Sequence, residues 1–220
     1  MTLPPDRPSP TASAASLVFD ALRKAIIEGE LEEGTPLRQD DIARQFNTSR
    51  IPVREAISRL EEKGLASSQR FKGAVVAGLD MDEMREIFDY RALIEPEVIR
   101  RAVPHMDQKI LAEAKSFFRE LDETSDPIPW GDLNRAFHES LYRASGMPFH
   151  EDAIDKAMDR VDRYLRAALI RSGNMAKSNA EHLAIWQACA DGDADRAAEL
   201  TRTHITQACE TLLQNRAAAD

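Results

Sequence analysis

The sequence predicts a mainly α-helical chain in which a small N-terminal unit carrying a β-hairpin precedes an antiparallel helical bundle. Three observations predict it. Residues 48–60 read as a helix that follows a shorter helix across a tight turn. Residues 65–77 carry two short strand patterns joined by Arg70-Phe71-Lys72-Gly73. From Met81 onward, amphipathic segments repeat to the end with prolines and glycines between them.

Taken in order, residues 1–15 are rich in Pro, Ser, Thr and Ala, with no basic start and no apolar block. They read as a flexible arm rather than a signal peptide. A first helix spans 16–28, with Leu17, Ala21, Leu22, Ala25 and Ile26 on one face and Gly29 ending it. The stretch 29–37 is a turn-rich connection into a short helix bearing Ile42, Ala43 and Phe46. Asn47-Thr48-Ser49 turns into a third helix. Ser49 is its expected N-cap, and Pro52 falls in the first turn, where no intrahelical N–H bond is lost. Val53, Ile57 and Leu60 recur at core spacing, while Arg50 and Arg54, one turn apart, project from the opposite side. An amphipathic helix with a merely solvated basic face has the same spacing. The preceding helix and turn, and the basic hairpin that follows, favour a helix-turn-helix with a wing, whose Arg pair can grip guanine or phosphate.

Charge is divided along the chain. Net charge is −9 overall, yet residues 1–79 carry 11 basic and 11 acidic side chains, and the whole acid excess lies in 80–220. Within 48–76 six basic side chains face three acidic ones. The local field suits a phosphate backbone, but a unit this near neutrality binds DNA weakly as a monomer, so a homodimer on an inverted repeat is expected. No run of 18 apolar residues occurs, so no membrane span is expected and the cytoplasm is the default location. Cys189 and Cys209 lie in apolar helical patterns, which argues against a disulfide framework or a thiolate zinc site.

Residues 17–78, above all GELEEGTPLRQDDIARQFNTSRIPVREAISRLEEKGLASSQRFKGAVV, resemble the winged helix-turn-helix of GntR-family bacterial transcription regulators. The resemblance implies that Arg50, Arg54 and the wing residues Arg70, Lys72 and Gly73 meet operator DNA, with Thr48, Ser49, Ile51 and Pro52 near phosphates or bases. Many members carry Arg where Asp40 stands here. Arg38, two residues earlier, is the expected substitute.

Six helices are predicted beyond the Asp80 hinge, near 82–102, 107–123, 131–145, 150–172, 177–190 and 194–215, with Pro104, Pro127/Pro129, Gly146/Pro148, Gly173 and Gly192 between them. The domains are therefore 16–79 for DNA and 80–220 for effector binding and dimerisation. Asn134 and His138 share one helix face, and His182 and His204 sit on two later helices. Three imidazoles on packed helices can converge on one ion. Each His is otherwise a satisfied polar group or a surface residue. Neutral imidazole suits zinc, with nickel as the alternative.

Residues 81–215 also resemble the all-helical, FCD-type effector domain of the FadR-like branch of the GntR family, through LNRAFHESLYRASGMP, EHLAIWQACADGD and TRTHI in order. In that branch an Asp-xxx-His pair and two later histidines bind a divalent metal that holds a small carboxylate. The resemblance implies a metal site of Asn134, His138, His182 and His204, with Asn replacing the usual Asp. Arg91, in YRALIE, is the candidate guanidinium clamp for the carboxylate effector, and Ser178, one turn before His182, is a second candidate.

The leading reading is a ligand-responsive transcription repressor. A second is a DNA-binding protein whose bundle only dimerises. A third is a metal-dependent hydrolase, opposed by the absence of HExxH and by Glu181, which as the neighbour of His182 is expected to point off its face.

Overall fold

The computed structural model describes residues 13–172 and 175–217. The expected arm lies outside them up to residue 12, as does the Gly173 break. The chain divides into two compact units between Gly78 and Leu79, next to the expected Asp80 hinge.

In the first unit, α1 (Ala14–Ile27) begins two residues before its predicted start, because the Ser13 hydroxyl accepts from the Ser16 backbone N–H at 3.1 Å and caps the helix. Its buried face is Ala15, Val18, Phe19, Leu22 and Ile26, rotated from the predicted one, and Leu17 is exposed. The larger Val18 and Phe19 take the core, and the Arg59 guanidinium lies 4.0 Å over the Phe19 ring. Helix α2 (Gln39–Gln45) buries Ile42 and Ala43, and α3 (Arg50–Glu62) buries Val53, Ala56, Ile57 and Leu60. Ser49 occupies the N-cap of α3 with extended backbone, but its side chain makes no cap hydrogen bond. The turn ahead of it is closed by Asn47 at φ 48° and by Thr48 N–H donating to the Ala43 carbonyl at 2.9 Å.

Strands β1 (Ala66–Gln69) and β2 (Gly73–Val76) pair antiparallel in the register Ala66↔Val76 to Gln69↔Gly73. The segment after α1, expected as a plain connection, adds a bridge from Pro36 to Val75. Val76 N–H donates to the Thr35 carbonyl at 2.9 Å and Leu37 N–H to the Ala74 carbonyl at 2.8 Å. Proline is tolerated there because Pro36 donates nothing to the ladder. These bonds and one apolar core spanning α1, α2, α3 and the hairpin fix the hairpin to α3.

Among the described residues the second unit is built of six α-helices: α4 (Met81–Ala102), α5 (Gln108–Glu123), α6 (Pro127–Tyr142), α7 (Pro148–Ser172), α8 (Met175–Ala190) and α9 (Ala194–Ala217). Asp80 caps α4 and Asp107 caps α5, each accepting a backbone N–H three residues on. Helix α6 starts at Pro127, four residues before its predicted start, so Pro127 and Pro129 form its first turn instead of separating helices. Pro96 lies inside α4 and lacks the N–H that would bond the Ala92 carbonyl. Arg202 of α9 fills the gap, donating to that carbonyl at 2.6 Å. Two apolar clusters, one around Ile99, Phe137 and Ile185 and one around Met84, Phe88 and Ile205, hold the bundle. Among the described residues no helix is long and apolar enough to cross a membrane.

Candidate nucleic-acid interface and candidate metal centre

At the start of α3, Arg50 and Arg54 are both exposed, as is Ile51, while Pro52 and Thr48 are half-buried. The Arg50 guanidinium is ion-paired with Asp40 of α2. Asp40, Thr48, Ser49 and Arg50 line one shallow concavity at the turn. Arg38 is exposed at the N-cap of α2, where its side chain makes no cap hydrogen bond. At the hairpin tip Arg70, Phe71, Lys72 and Gly73 are all exposed, and the chain turns through left-handed φ at Phe71 and Gly73. Every residue expected at the DNA face is therefore at the surface of this unit.

In the bundle, α6, α8 and α9 bring His138, His182 and His204 together, one ring nitrogen of each lying within 4.8 Å of the others. His138 Nε2 and His182 Nε2 are 3.2 Å apart. All three rings are buried, His182 completely. Burial, then the neighbouring His204 and Arg91, hold the His138 imidazole well below the ordinary histidine range, and burial with His204 and His138 does the same for His182. Both are therefore neutral, the form that ligates a metal.

The outer nitrogens are held unequally. His204 Nδ1 meets the Glu181 carboxylate at 2.7 Å, and Lys177 stands 3.9 Å from the other Glu181 oxygen. This corrects the expectation that Glu181 points away from the trio. Neighbouring positions on α8 do diverge by about a quarter turn, but α9 lies on the flank that Glu181 faces and presents His204 to it. With Nδ1 engaged by Glu181, Nε2 is the ring nitrogen that His204 has left for a ligand. His138 Nδ1 lies 3.4 Å from the Tyr142 hydroxyl, which donates to Glu95 at 2.7 Å. Among the described residues His182 Nδ1 is buried without a partner. Three convergent imidazoles, two of them held neutral by burial, fit a divalent cation.

A cavity beside the trio is lined by Asn134, Arg91, Ser178 and His204, which places both sequence-predicted effector candidates and the fourth ligand candidate on one space. Arg91 is buried, and its Nε is spent on Glu95 at 2.6 Å. A second guanidinium, missed in the sequence, also lines the cavity: Arg166 of α7, paired with Asp162 at 3.1 Å and Asp132 at 2.8 Å. It fits because residue 131 is glycine. A Cβ there stands 2.4 Å from the Arg166 guanidinium carbon. A glycine inside a helical pattern was the available signal, since it marks a close approach.

Comparison with known proteins bears on both units. Residues 14–76 match the model of the bacterial regulatory proteins of the gntR family, and residues 86–207 match the FCD domain. The chain is 30% identical over 219 residues to the helix-turn-helix-type transcriptional regulator BphR of Paraburkholderia xenovorans, covering 94% of this chain and 89% of that protein. It is 26% identical over 223 residues to the transcriptional repressor RspR of Escherichia coli, covering 94% and 92%. The solved structure of E. coli McbR/YncC superposes with a TM-score of 0.82 at 22% identity, over 94% of this chain and 100% of that one, a likeness of fold.

Proposed function

Because this chain belongs to the gntR family of bacterial regulatory proteins and carries an FCD domain as its second unit, we propose that it is a ligand-responsive transcriptional repressor. It acts as a homodimer on an inverted-repeat operator. Its helical unit holds a divalent metal, zinc with nickel as the alternative, and senses a small carboxylate through it. The observation that carries this reading is the convergence of His138, His182 and His204 beside a cavity that also bears Arg91, Arg166 and Ser178. The repressor named among the relatives supports the sign of regulation.

His138, His182 and His204 hold the ion, and Asn134 offers a neutral oxygen where the family pattern has a carboxylate. When bound, the ion supplies Lewis-acid positions for carboxylate oxygens. Glu181 and Tyr142 orient their rings and fix their tautomers. Arg91, its Nε tied to Glu95, keeps its terminal nitrogens for the effector. The neighbouring charges nearly cancel, since Arg91 meets Glu95, Arg166 meets Asp162 and Asp132, and Lys177 stands by Glu181. The metal is then the main source of positive potential for an anion, so metal and carboxylate bind with positive cooperativity.

Zinc calorimetry on metal-stripped wild type and His182→Ala, with and without succinate or citrate, tests this reading. Wild type is expected to bind one zinc per chain, more tightly with the matching carboxylate, and His182→Ala to lose it. A wild type that takes up neither zinc nor nickel contradicts the reading and returns the histidines to a packing role.

A further inference from the structure

The Arg50–Asp40 ion pair stands on the face that would meet DNA, and neither partner is buried: the side chains are 70% and 58% exposed. An exposed pair of this kind contributes about 0–1 kcal/mol to stability, so folding does not explain it. Asp41, the other acid in the first turn of α2, is matched within its own helix by Arg44. Asp40 reaches instead across the turn to the first residue of the recognition helix. A carboxylate at this place is costly on DNA in general, because it repels phosphate and loses its hydration. The cost is offset only where a base edge donates to it. In the major groove the donors are the amino groups of cytosine and adenine.

We propose that Asp40 and Arg50 act as one composite reader: Arg50 forks onto a guanine, and Asp40 accepts from the amino group of an adjacent cytosine or adenine. The geometry gives each partner its part. Arg50 meets Asp40 through Nε, which leaves the two terminal nitrogens for guanine O6 and N7 and fixes the plane of the fork. Asp40 meets Arg50 through one carboxylate oxygen and keeps the other for the base. The same carboxylate lowers affinity for every sequence that offers it no donor, so specificity arises from repulsion as well as from contact. Asp40 is thus a specificity-determining residue, where an arginine would have added a phosphate contact and raised affinity for all DNA.

The inference rests on the DNA-reading face described above, and one experiment separates the two. Full-length wild type, Asp40→Ala and Arg50→Ala are used to select binders from a duplex pool with a randomised core. Each is then titrated against one random-sequence duplex over a range of salt. Wild type is expected to select a guanine in each half-site beside a position restricted to cytosine or adenine. Asp40→Ala keeps the guanine and loses the restriction, and its ratio of selected to random affinity falls about tenfold or more. Its binding to random duplex becomes tighter, and the slope of log affinity against log salt steepens by about one as Arg50 is released to a phosphate. Thermal unfolding of Asp40→Ala should match wild type, and Asp40→Asn repeats the salt test without loss of side-chain volume. An Asp40→Ala protein that returns the wild-type motif and ratio overturns the composite reader alone. A wild type that enriches no motif overturns the DNA-reading face with it.

Discussion

His138 of α6 and His182 of α8 face each other through their Nε2 atoms at 3.2 Å, both fully within the bundle. Two neutral imidazoles in this position share a single proton between the facing nitrogens. Whichever ring supplies it, His182 Nδ1 has no partner among the described residues, a desolvation cost of about 1–3 kcal/mol. The shared proton makes an ordinary hydrogen bond between the rings, and a cation would replace it by taking the lone pair of each Nε2.

The pH dependence of the metal-free protein follows from the same pair. Burial first, and then the neighbouring His204, lowers both rings below the ordinary histidine range. The unfolded chain, with histidine near 6.5, takes up protons that the fold refuses. Stability is therefore full above about pH 7 and falls as pH drops through about 6.5, by up to roughly 1.4 kcal/mol per pH unit for each ring. Urea unfolding of metal-stripped wild type and of His138→Asn at pH 7.5 and 5.5 checks this. The wild type should lose more stability than the variant, and equal losses would assign the acid sensitivity to other groups.

Asn134→Asp restores a negative charge beside the proposed dication. It should tighten zinc by about tenfold, on the order of 1.4 kcal/mol, and weaken the dependence of zinc binding on added carboxylate. Calorimetry on the two proteins decides it. Unchanged zinc affinity would place residue 134 outside the metal's reach.

Gly131→Ala tests the slot beneath Arg166. Glycine to alanine inside a helix usually stabilises by about 0.5–1 kcal/mol. Here the new Cβ meets the Arg166 guanidinium at 2.4 Å and displaces it from Asp162, itself buried. A net loss of about 1–3 kcal/mol is expected from the disturbed charge pair, read as a lower urea midpoint. A gain in stability would show that Arg166 relocates without loss.

On the DNA side, Arg54→Ala should cost about 1–3 kcal/mol on a selected operator and relax preference at one position per half-site. Equal losses on operator and random duplex would make Arg54 a phosphate contact.

The order of elements was legible because it rests on local signals: the Asn47-Thr48-Ser49 turn ahead of α3, the prolines and glycines between helices, and apolar spacing along the six bundle helices. The histidine trio was legible through the resemblance, because spacing puts His138, His182 and His204 on three helices of one bundle without fixing which of their faces meet. Features set by long-range packing were not. Periodicity placed Leu17 inward, but it was the size of Val18 and Phe19 that decided the buried face of α1. Glu181 read as pointing away until α9 presented His204 to it. Asp40 read as a departure from a family pattern, and only the fold across the turn shows it holding Arg50. Arg202 and the Ala92 carbonyl, 110 residues apart, meet because Pro96 leaves that carbonyl open, and neither signal points to the other in the sequence.

The central claim is a coupling between the metal-bound carboxylate and DNA, and operator affinity measures it most directly. Wild type and His182→Ala, loaded with zinc, are titrated with a selected operator duplex in the presence and absence of a panel of small mono-, di- and tricarboxylates. One carboxylate is expected to change wild-type operator affinity by about 5- to 150-fold, with the reciprocal change in carboxylate affinity when operator is present, and to leave His182→Ala unmoved. Operator affinity that is indifferent to every carboxylate that binds, or that responds equally in His182→Ala, would contradict metal-dependent sensing.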